Sequence, residues 1–333
     1  MSDTTKPKHY RVYSQFLKEK YGEKVYKLPV ALPVTCPNRD GTRGVGGCIF
    51  CGEIGAGYEN RPATMSVHEQ LTENIAHIAP KYKAYKYIPY YQNFSNTYLP
   101  VEDFEKYMEA GCIDSTVGLA IATRPDCIHE AYLESLAKLR ARHGVDIYIE
   151  LGLQTVNQQT SRILNRGEGV AEYIDAMHRI RQYGFDTCTH MILNCPWDTM
   201  HDVIDGAKLI SAMGTSQVKL HALFIVKNTV MADMYERGDF KMQSVEEYME
   251  RVITFLEYLD PKIVMQRLVG RAPEANTLFT NWSMAWWKVQ EMIDAKMEAE
   301  NRFQGDKFDY LGGSAVKRFV GEDILFDDGL DLL

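Results

Sequence analysis

The stretch Cys36-Pro-Asn-Arg-Asp-Gly-Thr-Arg-Gly-Val-Gly-Gly-Cys48-Ile-Phe-Cys51 constrains this chain more than any other. Thiolate sulfur is a preferred ligand of iron and zinc. A two-residue gap lets Cys48 and Cys51 grip one metal centre, and the glycine-rich run between them and Cys36 brings a third thiolate round. Three ligands are offered rather than four. A structural zinc site closes its tetrahedron with a fourth Cys or His, whereas an iron–sulfur cluster on three cysteines keeps one iron open.

Three other readings compete. A zinc ribbon needs a fourth ligand from Cys112, Cys127, Cys188 or Cys195, none of which sits in a second C-x-x-C pair. A disulfide staple suits neither the odd count of seven cysteines nor a start, Met1-Ser-Asp-Thr-Thr-Lys-Pro-Lys, that has no apolar run for secretion. Packing as small hydrophobes accounts for Cys112, Cys127, Cys188 and Cys195.

At 333 residues the chain buries a large core without metal or disulfide help, so a metal here serves chemistry. Hydrophobic residues at 45%, and no uncharged apolar run of membrane-spanning length, predict a soluble cytoplasmic protein with no membrane partner. The formal net charge of -8 argues against a broad basic surface for nucleic acid. Glu322, Asp323, Asp327, Asp328 and Asp331 crowd the end of the chain, which leaves room for a local basic patch.

Val12, Phe16 and Leu17 share one face of an expected helix over residues 10–21, stopped by Gly22. A strand over 24–32 feeds the cysteine loop. Ser66-x-x-Glu69 is a capping box that opens a helix to about Lys81, and 85–91 is the next strand. The pair then repeats: helix 101–110 and strand 117–122, helix 129–143 and strand 147–153, helix 170–183 and strand 186–193, helix 202–213 and strand 217–225. Gly111, Gly144, Gly184 and Gly214 stand after these helices as expected left-handed caps. Apolar runs such as Val117-Gly-Leu-Ala-Ile-Ala122 fit parallel strands covered on both faces. The expected fold class is α/β, a partial (βα)6 barrel with an N-terminal helix and a C-terminal helical extension. The expected divisions are 1–23 for the N-terminal helical segment, 24–270 for the barrel, 271–304 for the helical extension and 305–333 for a weakly ordered acidic tail. Ser244-x-x-Glu247 caps a further helix to Leu259, 263–269 is a closing strand, and Trp282, Trp286 and Trp287 form a stripe that packs a helix over 276–303 against the barrel.

In βα folds the loops after the strand ends build the active site. Polar residues collect there: Cys36, Cys48 and Cys51 after strand one, Gln92 and Asn93 after strand two, Thr123 and Arg124 after strand three. Glu150 and Gln154 belong to strand four, His190 and Asn194 to strand five, and Lys219, His221 and Lys227 to strand six. Taken singly, a loop Asn or Thr is a turn former and a strand His is a satisfied polar residue. A ring of them at one end of the sheet beside a cysteine loop points to a site.

The cysteine spacing, with an aromatic residue before the last Cys, resembles the signature of radical S-adenosylmethionine (SAM) enzymes with a widened first gap. Glu150-Leu-Gly-Leu-Gln154-Thr-Val-Asn157, Asn165-Arg-Gly167, His190-Met191 and Pro196 resemble the strands of the elongator catalytic subunit and of oxygen-independent coproporphyrinogen oxidase. Thr123-Arg-Pro-Asp126 and Val218-Lys-Leu-His221 with Lys227-Asn-Thr229 resemble the elongator side. Over about residues 25–270 the chain is most similar to the stand-alone bacterial YhcC/YtqA type. The resemblance implies a [4Fe-4S] cluster on Cys36, Cys48 and Cys51 whose open iron chelates the amino and carboxylate groups of SAM. It also implies Gln92 and Asn93 near the SAM amino group, Glu150 and Gln154 on ribose hydroxyls, and Thr123, Arg124, His190 and Asn194 around the same cofactor. Lys219, His221 and Lys227 are then the expected substrate contacts, able to pair with a carboxylate or phosphate. Two motifs depart from the family: its Gly-Gly-Glu element reads Tyr91-Gln92-Asn93, and Ala122 stands where the elongator has Glu. Nothing resembles an acetyltransferase half, so acetyl-CoA is not an expected partner.

The function implied is hydrogen abstraction by a 5'-deoxyadenosyl radical, acting on the C5 side chain of a modified wobble uridine in tRNA and taking carboxymethylaminomethyl toward aminomethyl. An electron donor such as flavodoxin or ferredoxin is the implied partner. Arg39, Arg43, Lys81, Lys83, Lys86, Arg162, Arg166, Arg267 and Arg271 are the basic residues available for tRNA, or for a solvated surface. The alternatives are the same chemistry on a small metabolite or peptide, and a metal- or cluster-binding interaction module without turnover.

Overall fold

The computed structural model describes residues 8–53, 55, 59–271 and 274–320. The acidic residues 321–333, expected as tail, lie outside the described residues. Their order along the chain is α1 (Tyr13–Tyr21), β1 (Val25–Val30), α2 (Val67–Tyr82), β2 (Lys86–Tyr91), α3 (Val101–Ala110), β3 (Gly118–Thr123), α4 (Glu130–His143), β4 (Asp146–Gln154), α5 (Gln158–Ile163) and α6 (Val170–Gln182). Then come β5 (Asp186–Ile192), α7 (Met200–Ala212), β6 (Gln217–His221), β7 (Ile225–Val226), α8 (Val230–Arg237), α9 (Val245–Tyr258), β8 (Val264–Arg267), β9 (Thr277–Phe279), α10 (Trp286–Glu300) and α11 (Lys317–Val320).

Seven strands form one parallel sheet in the order β1-β2-β3-β4-β5-β6-β8, so the expected closing strand joins as the seventh. The edges β1 and β8 do not pair with each other, and the sheet is a half-barrel. Side chains alternate along each strand. One set, including Leu28, Val30, Tyr91, Leu119, Ile121, Ile149 and Leu151, is fully buried under the helices. Each such aliphatic side chain contributes roughly 1.5–3 kcal/mol by leaving water. The other set faces inward, where Val25, Ile88, Tyr90, Ala120, Ala122 and Tyr148 pack with Leu17 of α1. The first helix thus seals one end of the barrel. It also bridges the open seam: Val12 pairs with Met265, and the Met265 amide donates to the Arg11 carbonyl at 2.8 Å.

The capping boxes at Ser66/Glu69 and Ser244/Glu247 form as expected. Gly22 and Gly144 are left-handed caps at φ 76° and 65°. Gly111 is not, with φ -79°; it is required for room, since a Cβ there would meet the Tyr91 hydroxyl at 2.3 Å.

Three expectations change. The strand expected over 217–225 ends at His221, and Ile225–Val226 leaves the main sheet to pair antiparallel with β9. The helix expected over 276–303 begins only at Trp286, because Asn281, Trp282 and Ser283 all take positive φ (41°, 54° and 59°), which an α-helix cannot hold. Of the tryptophan stripe, Trp282 packs on Tyr248 and Phe279 at 5.1 and 5.8 Å between ring centroids. Trp286 and Trp287 stay 39% and 52% exposed, so they are not the packing stripe that helical spacing suggested. The start of the expected loose tail is also pinned. Lys307 pairs with Glu257 and the Tyr310 hydroxyl donates to the Tyr258 carbonyl; just before the tail, in the extension, Arg302 pairs with Glu257 and Gln304 donates to the carbonyls of Asp260 and Ile263. Among the described residues no helix is long and apolar enough to cross a membrane.

Candidate active site

The cysteine loop leaves β1 and is tied to the connection between α5 and α6. The Ile49 amide donates to the Leu164 carbonyl (3.0 Å), and the Asn165 side chain donates to the Gly47 carbonyl (2.8 Å). Asn38 is fully buried at the centre of this union. Its amide nitrogen donates to the Asn165 carbonyl at 2.5 Å and lies 3.7 Å from the Cys48 sulfur. The carbonyl acceptor fixes which end of the amide faces the sulfur. Its oxygen is then crowded against Gly44 and Gly167, where a Cβ would come within 2.2 and 2.9 Å. Only glycine fits at either place.

The three thiols sense one another: burial lifts Cys51 to about 11, with the neighbouring Cys48 and Cys36 adding to the rise and Arg39 opposing it. Burial raises Cys36 as well. A single zinc ion, with Zn–S bonds of about 2.3 Å, holds its sulfurs roughly 3.8 Å apart. The one set of three ligand atoms all within 4.8 Å of one another among the described residues is Glu150, Cys188 and His190, not the loop cysteines. Cys36 and Cys48 both raise the Cys51 thiol, and the cationic core of an iron–sulfur cluster would relieve that mutual repulsion. Cys195 packs in the hydrophobic cluster that Ile49 and Phe50 of this loop join. Burial lifts Cys112 and Cys127 to about 12 and pushes Cys188 and Cys195 higher, which keeps them as packed thiols.

Behind Cys36 stands a buried quartet. Arg124 grips Asp126 through two bonds of 2.8 Å and donates to the Arg166 carbonyl at 2.9 Å; Arg166 pairs with Glu168 and donates to the Gly152 carbonyl at 2.6 Å. Burial is the main reason that Glu168 is raised to about 7 while its arginines hold it back. Thr123 joins a hydroxyl chain, 2.9 Å from Ser95 and 2.6 Å from Thr97.

Inside the barrel, Glu150 is the hub. One carboxylate oxygen accepts from Lys27 and, at 3.1 Å, from Gln266; the other accepts from Lys219 at 2.7 Å and His190 at 2.8 Å. Lys219 also donates to the Tyr90 hydroxyl (2.9 Å), and both lysine ammonium groups lie over the Tyr90 ring, at 3.8 and 4.2 Å from its centroid. Burial opposes ionisation of Glu150, yet Lys219 and Lys27 outweigh it and hold the carboxyl well below its usual range. Burial brings Lys219 down to about 7 and His190 to about 4, and burial, with Arg267 next, holds His221 well below its ordinary value. Both oxygens of Glu150 are occupied by nitrogen donors, so the Glu150–Cys188–His190 set is a hydrogen-bond network and not an open cation site.

The structure therefore draws Glu150, His190, Lys219 and His221 together, with the His190 and His221 rings 5.2 Å apart. Gln154 stands half-buried at the strand end with φ 68°. Gln92, half-buried, follows β2 and donates its amide to the Val30 carbonyl at 3.2 Å. Asn93 spends its amide on both backbone groups of Leu32, at 3.0 and 2.7 Å, and Asn194 accepts from the Leu223 amide at 2.7 Å. Lys227 is exposed on the turn after β7, whereas Lys219 is buried and His221 half-buried. Arg166 and Arg267, counted among possible tRNA-facing charges, are walled into the protein instead. Lys27, Tyr90, Gln266 and Arg267 complete the interior and were not singled out from sequence as its lining. The signal was present: a charge in mid-strand of a parallel sheet must find a partner inside.

Comparison with known proteins agrees with this geometry. Residues 36–210 match the family described as Radical SAM superfamily, and residues 215–299 match the Radical_SAM C-terminal domain. YtqA of Bacillus subtilis is 33% identical over 305 residues, spanning 91% of this chain and 94% of that protein. A tRNA uridine(34) acetyltransferase of Methanocaldococcus infernus is 27% identical over 161 residues, 46% of this chain and 28% of that protein. The solved structure of archaeal Methanocaldococcus infernus Elp3 superimposes with a TM-score of 0.64 at 17% identity, covering 84% of this chain and 64% of that one, and so shares the fold.

Proposed function

This chain belongs to the radical SAM superfamily, and from that membership we propose that it modifies the C5 side chain of the wobble uridine in tRNA, taking a carboxymethylaminomethyl group toward aminomethyl. The family's [4Fe-4S] cluster and SAM, when bound, supply hydrogen abstraction from an unreactive carbon. Cys36, Cys48 and Cys51 hold the cluster in this reading. Gln92 and Gln154, beside them at the strand ends, orient SAM, and an electron donor such as flavodoxin or ferredoxin serves the cluster.

The chain's own part is placement and exclusion. Glu150, fixed by two lysines, sets the positions of His190 and Lys219, and the seal of α1 keeps water from the inner end of the barrel. His190, held unprotonated, offers a neutral ring towards the chamber rather than a cation.

The observation that carries the tRNA reading is the similarity, over nearly half the chain, to a protein named for uridine 34 of tRNA. Nucleoside mass spectrometry of tRNA from a deletion strain tests it. Carboxymethylaminomethyl uridine accumulates and its aminomethyl product falls if the reading holds; an unchanged wobble-uridine profile refutes it. The inward placement of Arg166 and Arg267 removes two cations from the surface and favours, as second reading, a small carboxylate metabolite. Gel-shift binding of tRNA at two salt concentrations separates them, because phosphate contacts weaken steeply with salt.

A further inference from the structure

Arg267 ends β8 inside the barrel. A register shift between β6 and β8 sets it directly beside Lys219, where regular pairing would offer its neighbour Gln266. Arg267 is half-buried as a residue, and its Nε is shut off from solvent. Among the described residues it has no bonded carboxylate. One terminal nitrogen donates to Nδ1 of His221 at 2.7 Å, and Nε is buried with no partner.

The balance of charge in the chamber is one-sided. Lys27, Lys219 and Arg267 are three basic groups, and Glu150 is the acid they surround. Both lysines are bonded to it, whereas the guanidinium has no bonded carboxylate among the described residues and feels Glu150 and Glu59 only through space. A cation held in low dielectric without a counter-ion is costly, and its planar fork matches a carboxylate. His221 adds no further positive charge, since burial and Arg267 keep it neutral.

We propose that Arg267, with His221 and Lys219, forms an anion site on the β6–β8 wall that receives a carboxylate carried into the barrel by the substrate. The proposal rests on the reading of the barrel as a radical SAM reaction chamber. Lys219, His221 and Arg267 all lie within residues 215–299, whereas the cysteines that would hold the cluster lie at 36–51. A terminal carboxylate presents the two coplanar oxygens that a guanidinium fork pairs with.

The test uses cluster-loaded protein with carbon-13 labelled histidine, following the ring resonance that disappears in His221→Gln. Acetate and N-methylglycine are the probes, with acetamide and methyl phosphate as neutral and phosphate counterparts. Saturable shifts with the two carboxylates and none with acetamide are expected, weakened at least about ten-fold in Arg267→Gln, as loss of a charge-assisted bond requires, and unchanged in the surface variant Arg237→Gln. Thermal melting confirms that Arg267→Gln is folded, and Arg267→Lys restores part of the affinity. Equal binding of acetamide, tighter binding of methyl phosphate, or unaltered acetate affinity in Arg267→Gln overturns the proposal. Parallel loss of SAM affinity in that variant also overturns it, since the guanidinium then serves the cofactor. Formation of 5'-deoxyadenosine by the wild type under dithionite reports separately on the radical SAM reading, whichever way the acetate titration falls.

Discussion

Lys219 Nζ lies 2.7 Å from Glu150 Oε2, with the side chains of both residues almost wholly shut off from solvent. The same carboxylate binds Lys27 and His190, so a single acid in mid-strand determines the arrangement of β1, β4, β5 and β6 around the chamber.

Removing that acid strands two ammonium groups. Glu150→Gln is expected to cost about 3–5 kcal/mol of stability, the range for breaking a buried ion pair from one side. Urea denaturation measures it, and a loss below about 1 kcal/mol contradicts the hub role.

Glu168 predicts a pH dependence. Its folded-state carboxyl is raised to about 7, above the ordinary value of 4.5, so its protonation favours the folded form. The stability it contributes is complete below about pH 4.5, declines as pH rises through 7, and is then gone. The rise from 4.5 to about 7 bounds the effect at about 3 kcal/mol. Denaturant melts from pH 5 to 8 are expected to show this decline in the wild type and a flatter profile in Glu168→Gln.

Metal content separates the cysteines. Cys36→Ala, Cys48→Ala and Cys51→Ala are each expected to lose cluster iron after anaerobic reconstitution, while Cys127→Ala and Cys195→Ala retain it. Iron and sulfide assays decide, and a zinc-only protein sinks the cluster assignment.

Asn38 is expected to tune the cluster it adjoins. Hydrogen bonds to cysteine sulfur make a cluster easier to reduce, so loss of the amide donor 3.7 Å from Cys48 in Asn38→Asp lowers the midpoint potential. A redox titration followed by electron paramagnetic resonance reads this directly, and an unmoved potential limits Asn38 to anchoring the loop.

The alternation of helix and parallel strand, the capping boxes and the cysteine trio were legible from local signals, because each depends on residues a few positions apart. The interior was not. Lys27 sits in a six-residue strand whose remaining residues read as an ordinary apolar feed to the loop, and its partner Glu150 is 123 positions away. Arg267 reaches the chamber through a register shift that no periodicity announces. The tryptophan spacing misled for a different reason: three consecutive positive-φ residues from Asn281 broke the helix on which that spacing would have formed one face.

The unpaired edges of the half-barrel have a temporal consequence. Lys27 and Gln266 meet across the seam at 3.2 Å although 239 positions separate them, and Arg11 and Val12 join the last strand beside them. During synthesis the cysteine loop leaves the ribosome long before β8 exists, so the seam contacts of Lys27, Arg11 and Val12 must wait for the end of the sheet. Only arrival of the final strand completes the wall.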